Sequence, residues 1–147
     1  AGPVGLATAL ALEKIAGIKD VTVFEQAPEL RPQIGGGLQL HGGAALLENE
    51  LGVKLSAVAN PLRRIKSRAK DGDVLLRLDL NGLADKFEAF SGSLRLKDGS
   101  LASCTVMRDL LLETMLAELG ASKVNFGEAL TGVDEERGTL SFASGRR

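Results

Sequence analysis

A glycine-containing turn at the start of a helix is the first feature of this 147-residue sequence that could do chemistry. The chain opens AGPVG and runs directly into a helical pattern. In such a turn Gly2 would let the backbone approach a pyrophosphate, and Gly5 would let the helix pack closely on a strand. The N-terminus of the helix offers free N–H groups and the positive end of its dipole to a phosphate. A glycine turn alone is also common in ordinary tight packing, so it predicts a nucleotide site only together with other features.

Glu25 is the second such feature, and it stands twenty residues after Gly5, at the end of the predicted strand VTVFE. A dinucleotide-binding fold needs a carboxylate at this place to accept hydrogen bonds from an adenosine ribose. A 2′-phosphate on that ribose would be repelled by the same charge. An exposed acid at a strand end is the alternative interpretation. Turn, helix, strand and acid in this order nevertheless predict dinucleotide binding.

Arg108 opens the predicted helix MRDLLLETMLAELG, although the helix dipole disfavours a cation at a helix N-terminus. Asp109 alone could compensate its charge, and a solvated arginine is the alternative interpretation. We favour a functional role, because the planar guanidinium donates paired hydrogen bonds that suit a phosphate.

Other reactive residues have simpler interpretations. His41 could act as a general base, but no partner for it is evident, so a structural or solvent-exposed histidine is favoured. Cys104 is predicted to be a small buried residue, because nothing near it in sequence would lower the pKa of its thiol. A basic stretch could bind an anion, but its alternation is more typical of the solvent face of a strand pair: Arg63, Arg64, Lys66 and Arg68.

The elements that must position these residues follow the order of an α/β protein. Helices are predicted over residues 2–16, over GGAALLENELG and over MRDLLLETMLAELG, where Leu111, Met115 and Leu119 repeat at helical spacing. The first helix is expected to bury the face formed by Val4, Ala7, Leu10, Ala11 and Ile15. Strands are predicted at 21–25 and 38–40 and in the closing segments KVNFG, ALTGVDEE and GTLSFAS. A hairpin is predicted around the KDG at residues 70–72, and another hairpin or an excursion at SLRLKDGSL. This order favours a parallel α/β core with an added antiparallel layer.

The composition excludes several classes of protein. Lys and Arg number 18 and Asp and Glu 19, a net charge of −1 that gives no general attraction to nucleic acid or anionic lipid. No apolar run approaches the ~20 residues of a membrane-spanning helix. A single cysteine and a single histidine leave no disulfide framework and no metal-binding cluster, so no metal is expected.

The two ends of the sequence predict an internal fragment. The chain begins without an initiator methionine and ends where a strand and turn lead onward. The strand expected before the first helix, with the first glycine of a G-x-G-x-x-G turn, would then lie outside it. Targeting signals cannot be evaluated in a fragment, so the compartment stays open, with the cytoplasm as the default.

The segment EQAPELRPQIGGGLQLHGGAALLENELG resembles the group A FAD-dependent monooxygenases. These are aromatic-ring hydroxylases similar to p-hydroxybenzoate and salicylate hydroxylases, zeaxanthin epoxidase and the tetracycline-modifying monooxygenases. In that family an acid-ended strand leads to a loop with Pro and Arg, then to a glycine-rich segment and a helix ending in LG. The later TVMRDLLLETML resembles the family segment in which an arginine starts a helix near the flavin.

The resemblance implies a fold and a set of cofactor-binding residues. The fold is a Rossmann-like FAD-binding parallel sheet, without its first strand, and with an antiparallel excursion; residues 1–147 would form part of an FAD-binding domain. The residues implied to bind FAD are Gly2, Pro3 and Gly5 at the pyrophosphate, Glu25 and Gln26 at the adenosine ribose, Gly36, Gly37, Leu38 and Gln39 along the flavin side, Arg108 at the phosphate or ribityl region, and Arg31 as a weaker candidate. Many relatives have Arg where this chain has Gln26.

The resemblance also implies an activity for the parent protein. In the family NAD(P)H reduces the flavin, O₂ forms a flavin C4a-hydroperoxide, and an oxygen atom hydroxylates or epoxidises a small organic, often aromatic, substrate. The fragment alone is expected to be inactive. Two alternatives stay open: another FAD- or NAD-dependent Rossmann oxidoreductase, and a non-catalytic truncated nucleotide-binding module. The oligomeric state and the substrate are not predicted.

Overall fold

The structure, a computed structural model, describes residues 1–30, 35–87 and 94–146. It begins with helix α1 (Pro3–Lys14), in which the fixed φ angle of Pro3 suits the first helical position. Strand β1 (Val23–Glu25) follows and pairs in parallel with β7 (Val124–Phe126), so that Glu25 lies opposite Phe126. The parallel pairing is the Rossmann-like part of the fold.

A second sheet stands beside this pair. Strand β2 (Gly37–Leu40) runs antiparallel to β6 (Cys104–Met107), which also pairs with the short β3 (Asn60–Pro61). Helix α2 (Gly42–Ala45) continues as a π-helical turn at Leu46–Glu50, and a 3₁₀ turn follows at Leu55–Ala57.

The antiparallel excursion lies between β3 and β6. Strands β4 (Arg64–Arg68) and β5 (Val74–Asp79) form the predicted hairpin, and its turn contains Gly72 at a φ of +97°. Helix α3 (Leu80–Lys86) directly follows β5. The Asp79 carboxylate accepts a hydrogen bond from the Asn81 N–H at 3.1 Å, which caps that helix. Arg95 and Leu101 pair antiparallel in the second predicted hairpin.

The last part of the chain forms helix α4 (Arg108–Leu119), β7 and the hairpin of β8 (Leu130–Asp134) with β9 (Thr139–Phe142). Leu111, Met115 and Leu119 of α4 are buried, as their spacing predicted. The parallel sheet with antiparallel additions confirms the predicted fold class.

The buried face of α1 differs from the predicted one. Leu6, Ala9 and Leu10 are buried against the core, whereas Val4 and Ile15 are 80% and 60% exposed. Of the predicted face, Leu10 is buried, and Ala7 and Ala11 pack partly buried against the core. The prediction was wrong for Val4 and Ile15, because apolar residues occur all around α1 and periodicity could not select one face. Packing against α4 selects the Leu6 side instead.

In the described part of the chain, none of the helices combines the length and the apolar character that crossing a membrane requires.

The two faces of α1 predict opposite effects of truncating a side chain. Leu6 is completely buried, so Leu6→Ala should lower the free energy of unfolding by about 2–5 kcal/mol. Val4→Ala removes an exposed side chain and should change it by less than about 0.5 kcal/mol. Urea denaturation followed by circular dichroism measures both values. A larger loss for Val4→Ala than for Leu6→Ala would contradict the observed packing.

Candidate functional site

A cleft of about 480 Å³ opens where the N-terminus of α1 meets the carboxyl end of β1. Four of the residues that line it belong to the site implied by the sequence: Gly2, Gln26, Glu25 and Arg108. They come from three segments that lie far apart in the chain. In open parallel α/β sheets, ligands bind at the carboxyl ends of the strands, and this cleft has that position.

The N-terminus of α1 forms one wall. Gly2 is its N-cap residue in an extended conformation, and among the described residues no side chain caps the helix. The first N–H groups of a helix have no partner within the helix, and the first turn of α1 contains no acid to compete for them. A Cβ atom at Gly2 would meet no described atom within 4 Å, so space is open beside the backbone there.

Pro3 and Gly5 belong to the same turn but do not line the cleft. Gly5 is exposed, and a Cβ there would also meet no described atom within 4 Å. The helix-to-strand contact predicted for Gly5 is therefore not made by the residues that the structure describes.

Glu25 lines the cleft beside the start of α1. One carboxylate oxygen accepts a hydrogen bond from the Ala27 N–H at 2.8 Å, and the other contacts the amino nitrogen of Ala1. The side chain is only 22% exposed. The turn after β1 thus holds the carboxylate at the cleft with one oxygen turned towards the start of α1.

Arg108 supplies the positive charge of the cleft. It lies where β6 passes into α4, and its N–H donates to the Gly36 carbonyl at 3.2 Å. A Cβ atom on Gly35 would lie 2.7 Å from the Cδ of Arg108, so the arginine chain rests on the glycine segment. Arg108 lines the same cleft as Ala1 and Gly2 at the start of α1.

The remaining predicted residues lie nearby or outside the described residues. Gly36 precedes β2, and Gly37, Leu38 and Gln39 form that strand opposite Met107, Val106 and Thr105. None of these four lines the cleft; they adjoin it through Arg108. Arg31 is outside the described residues.

Part of the cleft is lined by residues that the sequence did not predict. Glu29 and Leu30 follow β1, Leu112 comes from α4, and Ala129 lies in the turn after β7. Glu29 could have been suspected from its place after the predicted ribose acid. For Ala129 no signal existed, because only the parallel pairing of β1 with β7 brings its turn to the cleft.

The two other reactive residues lie away from the cleft. His41 is exposed, and its Nδ1 lies 2.8 Å from the Ser103 Oγ, so it has a structural partner. Cys104 is buried, as predicted, and burial together with the nearby Glu48 raises the pKa of its thiol. Among residues 1–30, 35–87 and 94–146, no group of three His, Cys, Asp or Glu could hold a metal ion.

The contact between Gly35 and Arg108 predicts a site-specific steric effect. Gly35 has a φ of +135°, so Gly35→Ala should strain the backbone and press on Arg108, at a cost of about 1–3 kcal/mol in unfolding free energy. Gly36→Ala is the matched control, because a Cβ there meets nothing within 4 Å of the described atoms. Urea melts of both variants test this, and equal midpoints would contradict it.

Comparison with known proteins adds an independent finding. No protein-family model matches the chain. No curated protein matches it in sequence either. Solved structures do match, among them Klebsiella pneumoniae HpxO complexed with FAD and uric acid, with 27% identity and a TM-score of 0.74 over 98% of this chain and 34% of that one.

Two further structures share the fold. The tetrameric form of 2-methyl-3-hydroxypyridine-5-carboxylic acid oxygenase has 20% identity and a TM-score of 0.68 over 99% of this chain and 34% of its own. The structure of 2,6-dihydroxypyridine-3-hydroxylase from Arthrobacter nicotinovorans has 19% identity and a TM-score of 0.66, over 98% of this chain and 32% of its own. The chain spans about one third of the length of these structures. The resemblance indicated by the motifs is therefore confirmed: nearly the whole chain matches one part of the FAD-dependent aromatic hydroxylases.

Proposed function

We propose that the cleft binds FAD. The observation that carries this proposal is that Gly2, Glu25 and Arg108, implied by separate motifs, line one cleft. The pyrophosphate would lie at the N-terminus of α1, the adenosine ribose at Glu25, and the flavin side along Gly36, Gly37, Leu38 and Gln39. Pro3 and Gly5 shape the turn at the pyrophosphate, Gln26 lies beside the ribose, and Arg31 is a further candidate.

The chemistry of the cleft fits this cofactor. A pyrophosphate carries negative charge, and both the dipole of α1 and the Arg108 guanidinium stabilise such charge. The ribose hydroxyls are donors, and the Glu25 carboxylate accepts their hydrogen bonds. The open space beside Gly2 lets a phosphate approach the backbone N–H groups, which a larger side chain would obstruct. Glu25 and Glu29 together disfavour a 2′-phosphate at the ribose.

The parent protein, we propose, is an NAD(P)H-dependent flavoprotein monooxygenase that hydroxylates or epoxidises a small, often aromatic, substrate. Bound FAD would supply the electron transfer and the reaction with O₂. The residues of this chain would bind the cofactor, orient it through Glu25 and Arg108, and shield its phosphates from water. Residues 1–147 would then form part of the FAD-binding domain and would be inactive alone. HpxO was crystallised with uric acid, which supports a small heterocyclic or aromatic substrate.

The decisive experiment identifies the cofactor. The intact parent protein is incubated with FAD, FMN or NAD, washed, and denatured, and the released compound is separated by chromatography. Retention of FAD alone is the expected result. Retention of NAD without flavin would favour another Rossmann oxidoreductase. Substrate-stimulated NAD(P)H oxidation by the intact parent protein then tests the reaction, and its absence would favour a binding module.

Removing the Glu25 carboxylate should weaken FAD binding. Loss of a charged hydrogen-bond partner costs about 1–3 kcal/mol, so Glu25→Ala should raise the dissociation constant about 5- to 150-fold. Glu136→Ala removes an equal charge at an exposed turn residue and is the control. Quenching of flavin fluorescence measures both constants. An unchanged constant for Glu25→Ala would exclude Glu25 from the site.

Arg108 should not be replaceable by lysine. A single ammonium group cannot reproduce the paired donors of a guanidinium, so Arg108→Lys should weaken FAD binding about 10-fold or more. Arg77→Lys, at an exposed position on β5, should have no effect. Normal FAD affinity and normal turnover for an Arg108→Ala variant of the intact protein would contradict the assignment.

A further inference from the structure

We propose that Glu128 is a positioning residue that holds Glu25 at the cleft, an inference that rests on the proposed binding of FAD. Glu128 does not line the cleft itself. It lies in the turn between β7 and β8, directly before Ala129, which does. Its backbone is bonded to Glu25, and its side chain contacts Ser144 and Arg146.

The backbone of the turn is bonded to the loop that carries the ribose acid. The Glu128 N–H donates to the Glu25 carbonyl at 2.9 Å, and the Gly127 N–H donates to the Ala27 carbonyl at 2.9 Å. Gly127 has a φ of +76°, which favours glycine and lets both N–H groups face this loop. Because the Ala27 N–H in turn donates to the Glu25 carboxylate, displacement of the turn would displace that carboxylate.

The side chain of Glu128 anchors the same turn to the end of the β8–β9 hairpin. One carboxylate oxygen accepts a hydrogen bond from the Ser144 Oγ at 2.7 Å, and the other lies 3.7 Å from the Arg146 guanidinium. Glu128 is only 16% exposed, which strengthens both interactions relative to a solvated pair.

Arg146, the ionic partner of Glu128, also contacts β1. The guanidinium of Arg146 lies 5.6 Å from the centre of the Phe24 ring, and this ring lies 4.6 Å from the ring of Phe142. Phe24 directly precedes Glu25. The carboxylate of Glu128 therefore holds Arg146 against the residue next to the ribose acid, while its own N–H holds the acid's backbone.

Removing the Glu128 side chain should weaken FAD binding only through Glu25. Glu128→Ala should raise the FAD dissociation constant about 3- to 10-fold, which lies within the range of coupling between contacting residues. In a Glu25→Ala background the same substitution should change it by less than about 2-fold. Glu136→Ala, in the same hairpin, is the matched control.

A purely structural role would give different results. If Glu128 only stabilises the hairpin, Glu128→Ala lowers the urea midpoint but weakens FAD binding equally in both backgrounds, and this overturns the proposal. If Glu128→Ala does not fold, the variants Ser144→Ala and Arg146→Gln replace it in the test, because each removes one partner of the Glu128 carboxylate at an exposed position. Unchanged FAD affinity in both variants would overturn the proposal. Failure of the intact wild-type protein to bind FAD would refute the proposed function itself. If Glu25→Ala weakens FAD binding as expected but Glu128→Ala does not, the role of Glu128 is refuted and the proposed function stands.

Discussion

The antiparallel pairing of β2 with β6 is the constraint on which the site depends. Gly37 lies opposite Met107, so the chain leaves β6 and enters α4 at Arg108 beside the glycine segment. The backbone of Arg108 is bonded to Gly36, and its side chain occupies the volume that a Cβ on Gly35 would need. The register of one strand pair thereby sets the position of the cationic residue of the cleft and leaves no room for a larger residue at Gly35.

Packing of α4 on α1 carries this arrangement to the phosphate-binding end. Leu6 and Leu10 of α1 and Leu111 and Met115 of α4 are all at most 2% exposed. Their burial holds the N-terminus of α1, and with it Gly2, beside Arg108. An ion pair of Lys14 with Glu118 at 2.6 Å joins the same helices at the surface, where solvent reduces its contribution. Hydrophobic burial rather than charge therefore positions the N-terminus of α1 beside Arg108.

The parallel pairing of β1 with β7 completes the cleft from the other side. It aligns Glu25 with Phe126 and brings the following turn, with Glu128 and Ala129, against the loop of the acid. The cleft thus has positive charge at Arg108 and the start of α1, and negative charge at Glu25. A ligand that carries both phosphate and hydroxyl groups matches this combination of charges.

The sequence by itself determined the elements and the chemical character of single residues. The β4–β5 hairpin, the buried stripe of α4 and the acid at the end of β1 followed from alternation, helical spacing and turn residues, which are local properties. The sequence could not determine the buried face of α1, because apolar residues surround that helix and only contact with α4 selects the Leu6 side. Nor could it place Arg108 on Gly35, or Glu128 beside Glu25. Those contacts join segments that lie far apart in the chain. They depend on strand register and helix packing, which only the tertiary structure determines.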